Sequence, residues 1–359
     1  MERTTAKKNK YEIDMCNGTI MDKLISFSLP LMLSGILQLM FNAVDIIVVG
    51  RFSGSQALAA VGSTSALINV FTNLFIGISL GANVLTARFY AAGREKEVSE
   101  TVHTAITLAL VSGIVMALVG LVFSKGALAL MGTPDDIIGL SALYMRIYFL
   151  GMPFFMLYNY GAAILRAVGD TKRPLLFLMI AGVINACLNM VLVIVFKLGV
   201  AGVAIATVIS QMISCVLVLR CLCRSESSYR LRFSELGMKG YYLKQIFSVG
   251  VPAGIQSTVI NFSNVLLQSS VNSFGSTAMA GYTAANNLLG FLYVSVNSIT
   301  QACMSFTSQN YGVGKLKRMD RVLADCMILS VVVAVALGCI CYGFGPEILQ
   351  IYTEDAEVI

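Results

Sequence analysis

Apolar runs long enough to cross a bilayer recur along this chain, and no other feature restricts its fold as strongly. An α-helix needs roughly 20 predominantly apolar residues to span the hydrocarbon core. Stretches such as 105–123, 175–196 and 327–342 with its flanks meet that need. Dividing the sequence at its polar interruptions predicts nine spans, at 24–50, 61–87, 101–123, 139–164, 174–196, 200–220, 245–272, 281–309 and 322–345. These runs are continuously apolar, which excludes a transmembrane barrel, whose strands alternate apolar and polar residues. Composition agrees: 57% of the 359 residues are hydrophobic and 12% charged, against roughly 45–50% and 25% in soluble domains. The expected fold is an all-α polytopic membrane protein. Residues 1–23 are polar and basic and lack the separate apolar stretch of a cleaved signal peptide.

Basic residues set the expected orientation. Of the 25 Lys and Arg, 21 lie in the N-terminal segment and in the connections after spans 2, 4, 6 and 8. Only Arg51, Lys125 and Lys197 lie in the connections after spans 1, 3, 5 and 7. The positive-inside rule then puts the N-terminus in the cytoplasm. The net charge of +6 belongs to a membrane surface by this reading and gives no reason to expect nucleic acid. The nine cysteines lie mostly inside apolar stretches or beside basic residues, and the chain has one histidine. Neither disulfides nor a metal site is expected.

Sliding the sequence on itself by about 221 residues aligns two halves. Leu29-Pro30 falls on Val251-Pro252, Phe52 on Phe274, and Gly54-Ser55 on Gly275-Ser276; Tyr90, Gly93 and Arg94 fall on Tyr311, Gly314 and Lys315. Thr133 and Asp135 fall on Thr353 and Asp355 at one residue less. Six spans separate equivalent points, so the halves share one orientation, as in parallel transporter repeats. The expected organisation is a cytoplasmic segment 1–23, a six-helix lobe 24–220, a cytoplasmic linker 221–244 and a partial second lobe 245–359. Two six-span lobes make twelve spans, so the chain is expected to lack the last three.

Of the 19 acidic residues, only Asp45 lies well inside an apolar span. A carboxylate there costs a few kcal/mol on insertion scales and is by default a functional candidate. Gln38, Asn42 and Asp45 share one helical face. Similar polar stripes are Asn185 and Asn189 on span 5; Thr207, Gln211 and Ser214 on span 6; and Ser257, Asn261, Asn264 and Gln268 on span 7. Gln38, Asn42, Gln211, Gln256, Asn261 and Asn264 are the cavity candidates. Each stripe also has a plain structural reading, as helix-joining hydrogen bonds of about 0.6 kcal/mol. Arg146 in span 4 is a possible ion-pair partner for Asp45 or a residue that snorkels to the outer headgroups. Pro30, matched by Pro252, is the hinge candidate.

Four motifs carry a family resemblance: Asn42-Ala-Val-Asp45 running to Gly50-Arg51, Leu165-Arg166-Ala-Val-Gly169-Asp170 running to Pro174, Gly202-Val-Ala-Ile-Ala-Thr207, and Ser308-Gln309-Asn310-Tyr311-Gly312. Together, in this order, they resemble the multidrug and toxic compound extrusion (MATE) transporters, and more closely their DinF-like branch. The resemblance implies two lobes around a central cavity and alternating access. It further implies a monomer in the cell membrane that exports organic cations or amphiphiles in exchange for H⁺ or Na⁺ and uses no cofactor. It places ion coupling on Asp45, Asn159, Asn185, Asn189 and Thr207. Many relatives carry Asp where this chain has Asn189, so a two-carboxylate Na⁺ site looks incomplete. The Glu expected on span 7 in the NorM-like branch is replaced by the stretch Ile260-Asn261-Phe262. The alternative within the superfamily is a lipid-linked sugar flippase, whose cavity usually holds several basic residues; here only Arg146 is available. An intramembrane enzyme is least supported, because the span interiors hold neither an Asp pair nor a Ser–His pair.

Overall fold

The computed structural model describes residues 11–272 and 276–345, and every regular element among them is a helix. In chain order these are α1 (Met21–Phe52), α2 (Ser55–Ala91), α3 (Glu95–Leu130), α4 (Asp135–Leu150), α5 (Met152–Ala167), α6 (Lys172–Asn189), α7 (Gly199–Cys223), α8 (Gly240–Asn272), α9 (Ser276–Gly312) and α10 (Leu316–Gly343). A π-helical segment, Met190–Val195, continues α6, and a single 3-10 turn, Phe233–Glu235, lies between α7 and α8. Six of these helices are long and apolar enough to cross a membrane, α6 counted with its π segment, and α4 with α5 makes a seventh. The predicted spans at 245–272 and 281–309 fall on α8 and α9, which are as long but richer in Ser, Thr, Asn and Gln. The repeat partners Phe274, Gly275, Thr353 and Asp355 lie outside the described residues, as do the segments 1–10 and 346–359.

The span predicted at 139–164 is built of two helices, α4 and α5. The chain bends by 47° between α4 and α5. Gly151 caps both helices and Pro153 sits in the first turn of α5, where its missing N–H and fixed φ suit a helix start but not a helix interior. The apolar run is continuous across the bend, so hydropathy alone did not reveal it.

The two ends matched by the repeat are built alike. Gly93 after α2 and Gly314 after α9 have φ of 71° and 73°. Arg94 N donates to Phe89 O at 3.0 Å, and Lys315 N to Asn310 O at 2.9 Å. Both are Schellman closures, which place a left-handed residue, usually glycine, at this position.

Helices α1 to α7 surround one core, drawn chiefly from α2, α3, α5 and α7. Helix α8 joins this group by lying against α2, where two small-residue motifs face each other. A Cβ on Gly77 would stand 2.2 Å from Gly254 Cα, and one on Gly81 would stand 2.1 Å from Ile246 O. The reciprocal positions are as tight: Gly250 would meet Ile78 Cα at 2.5 Å, and Gly254 would meet Leu74 O at 2.6 Å. Lipid gives helices little hydrophobic reason to associate, so close backbone packing between small residues supplies the attraction. A second, smaller core joins the chain start to α9 and α10, with Met15, Leu24 and Phe27 against Ile299, Phe306 and Val322. Phe27 and Phe306 meet edge to face at 5.6 Å.

The connection after α7 is anchored beneath α3 instead of hanging free. Tyr229 and Leu231 are buried, Arg232 N donates to His103 Nε2 at 3.0 Å, and Lys239 pairs with Glu100.

Candidate functional site

Asp45 lies 24 residues beyond the first residue of α1, about 36 Å along an ideal helix. It therefore sits nearer the Phe52 end. Its facing is set by a close contact one turn earlier, where the Phe41 ring lies on Gly182 of α6, a position with no room for a side chain. This draws α1 onto α6 and puts Asp45 opposite the end of that helix. Gly202 of α7 packs on Leu192 of the π segment less tightly, a Cβ there standing 3.2 Å from it.

Four polar residues meet there. Asn189 Nδ2 donates to Asp45 Oδ1 and, at 3.2 Å, to Asn185 Oδ1. Thr207 Oγ1 lies 3.4 Å from Asp45 Oδ2 and 3.0 Å from Val203 O. One hydroxyl proton cannot serve both acceptors at once. Asp45, Asn185 and Asn189 are buried, and Asn189 Oδ1 has no hydrogen-bond partner, so the cluster retains an unused acceptor. No ion pair to Asp45 occurs among the described residues. Arg146 is exposed on α4.

The cluster opens into a cavity of about 410 Å³. Gln38, Asn42 and Asp45 from α1, Asn185 from α6, and Thr207 and Gln211 from α7 line it, so these sequence candidates come together. Asn159 stands apart, its amide donating to Phe155 O on its own helix at 2.8 Å. Gln256 and Asn264 are exposed on α8 and are not among the lining residues. The side chains of Asn261 and Gln268 lie outside the described residues.

Sequence reading missed two parts of the wall. One is aromatic: Phe41, Tyr144, Tyr148, Phe155 and Tyr158. Inside apolar spans such residues look the same whether they face lipid, core or cavity. The other is Asn69, Thr72 and Asn73 on α2, whose spacing of three and four residues was a visible one-face signal. A lone carboxylate in a cavity partly lined by aromatic rings suits a cation, which is attracted to both charge and ring faces.

Comparison with known proteins agrees with this architecture. The MatE family model matches residues 30–191 and again 252–359, beginning each time at one of the two repeat-matched prolines. The chain is 33% identical over 342 residues to the probable multidrug resistance protein YoeA of Bacillus subtilis (strain 168), covering 93% of this chain and 73% of that relative. It is 22% identical over 340 residues to the multidrug export protein MepA of Staphylococcus aureus (strain NCTC 8325 / PS 47), covering 94% and 74%. A solved outward-facing structure of a multidrug resistance MATE family transporter of the MOP superfamily has the same fold. It superposes with a TM-score of 0.91 at 21% identity, over 98% of this chain and 78% of that one. The chain belongs to the MatE family and is a multi-pass helical membrane transporter, not an enzyme.

Proposed function

We propose that this chain is a secondary antiporter of the cell membrane that exports organic cations or amphiphiles in exchange for H⁺, with Na⁺ as the other candidate ion. The observation that carries this reading is Asp45: the one carboxylate deep in a span, with no ion-pair partner among the described residues, at the wall of an aromatic and amide-lined cavity. An unneutralised carboxylate in this setting is costly. A proton, a sodium ion or a cationic substrate can each neutralise it, and only one can do so at a time. That exclusivity is the physical basis of exchange.

The hydrogen bonds around Thr207 provide two distinct arrangements. With Asp45 ionised, the Thr207 hydroxyl turns to Oδ2; with Asp45 protonated, the acid donates to Thr207 Oγ1 and the hydroxyl returns to Val203 O. Asn189 bonds Oδ1 in both. Different packing of α1 against α6 and α7 in these two states would couple occupancy to alternating access, with Pro30 as the hinge. In this reading residues 24–220 and 245–359 are the moving lobes, 221–244 is a cytoplasmic linker, and the transporter works as a monomer with its N-terminus in the cytoplasm.

Transport of tetraphenylphosphonium into inverted vesicles under an imposed pH or Na⁺ gradient tests the reading. Uptake should follow the pH gradient; uptake that follows Na⁺ alone would reverse the choice of ion, and uptake that ignores both would reject exchange. Asn189→Asp adds a second carboxylate beside Asp45, so its transport should become more dependent on Na⁺ at fixed pH. Orientation is tested separately with cysteines at two exposed positions in a chain without native cysteines. Lys125→Cys should react with an impermeant reagent in intact cells and Arg230→Cys should not; the reverse pattern would overturn the topology.

A further inference from the structure

The ten residues before α1 form a strap tied to both groups of helices. A tight turn shapes it: Asp14 Oδ1 accepts from Cys16 N at 3.0 Å, and Lys23 Nζ donates to Asp14 O at 2.8 Å and Asn17 O at 2.5 Å. On one side the strap grips the first group. Glu12 accepts hydrogen bonds from the Tyr90 and Tyr229 hydroxyls, each at 2.8 Å. Ile13 N donates to Gly169 O at 3.2 Å. Gly169 has φ of 98°, and a Cβ there would stand 2.6 Å from Ile13 O. Glycine at this position of the Leu165–Pro174 motif is thus required by the strap passing over it.

On the other side the strap holds α9 and α10. Asn310 Nδ2 donates to Met15 O at 3.1 Å. Lys315 Nζ donates to Cys16 O at 2.8 Å and to Asn17 Oδ1 at 2.9 Å, and Arg318 Nη2 to Asn17 O at 3.2 Å. The Met15 side chain is fully buried in the small core shared with Phe27 and Phe306. Gln309 donates to Ala167 O at 2.7 Å beside it. Gln309 and Asn310 of the Ser308–Gly312 motif therefore hold the two groups together at this end, far from Asp45.

We propose that residues 12–17 are the cytoplasmic gate of the transport cycle. Glu12 and Ile13 keep the strap on the first group, whose α1 it continues into. Residues 15–17 release α9 and α10 when the cytoplasmic ends part. The inference rests on the alternating-access reading above. Several of these bonds must break together, and those from Lys315 and Arg318 are charge-assisted, so weakening the set should shift the closed-to-open balance about tenfold or more.

The test uses the full chain without native cysteines, reconstituted in proteoliposomes. Asn17→Cys with Lys315→Cys puts two exposed thiols across the gate, bridged by a short bis-methanethiosulfonate linker. The bridge should lower tetraphenylphosphonium transport at least tenfold and reductant should restore it, a reversal that misfolding cannot imitate. In a second arm, spin labels at exposed Ala92 and Lys317 report the separation of α2 from α10. Asn310→Ala with Lys315→Ala should raise the long-distance fraction about tenfold. Transport at the unbridged rate with the linker in place, or an unchanged distance distribution in Asn310→Ala with Lys315→Ala, overturns the gate. A parent protein whose labels never separate under any gradient overturns alternating access itself.

Discussion

Asp45→Asn is expected to abolish gradient-driven export while leaving the protein folded in the membrane and able to bind some substrate. Asparagine has nearly the same shape and keeps an oxygen to accept from Asn189, so the contact between α1 and α6 survives. What disappears is the exchangeable charge. A neutral amide cannot lose a proton to admit a cation, so the substrate loses its electrostatic partner and the ion loses its site. Gradient-driven transport in inverted vesicles should fall to background, a loss of at least a hundredfold. The thermal midpoint of the purified protein should stay the same or rise, because a costly buried charge has been removed. Transport at the parental rate under either gradient would remove Asp45 from the mechanism.

The second large effect is expected at the seam between α2 and α8. Gly77→Ala places a methyl 2.2 Å from Gly254 Cα. Backbone cannot swing aside as the tip of a side chain can, so the helices must separate along their contact. Overpacking of this kind costs typically 1–3 kcal/mol, and Gly77→Val should cost more. Gly62→Ala on the same helix is the control, since nothing lies within 4 Å of its added Cβ. The thermal midpoint in detergent should fall by several degrees or more for Gly77→Ala and change little for Gly62→Ala. Equal midpoints would mean that the seam does not hold α8 to α2.

The site and the seam were legible in the sequence to different degrees. Asp45 stood out because one carboxylate in an otherwise uncharged span has a physical cost that pattern alone reveals. Its companions Asn185 and Thr207 were visible as one-face stripes, but their convergence depends on the close packing of Phe41 on Gly182 and of Leu192 on Gly202. Glycine spacing at 77 and 81 and at 250 and 254 was present in the sequence. That the two pairs face each other is a tertiary fact that no local pattern contains. The aromatic wall was hidden because an apolar ring in an apolar span carries no directional signal. The bend at Gly151 was hidden because hydropathy is blind to a missing N–H. Gly169 and Asn310 carry no physical signal in their family motifs, because their role depends on a strap more than a hundred residues away in sequence.

Proton release on substrate binding measures directly the proposed competition between ion and substrate for Asp45. Tetraphenylphosphonium would be titrated into the purified protein by calorimetry in buffers of different ionisation enthalpy. If a bound proton and a bound cation exclude each other at Asp45, the parent should release close to one proton per cation bound at a pH low enough for Asp45 to be protonated. Affinity should then rise with pH over the range in which that release occurs. Asp45→Asn should release none and bind with an affinity independent of pH. Binding to the parent without proton release, and with no weakening by Na⁺ at fixed pH, would contradict the account.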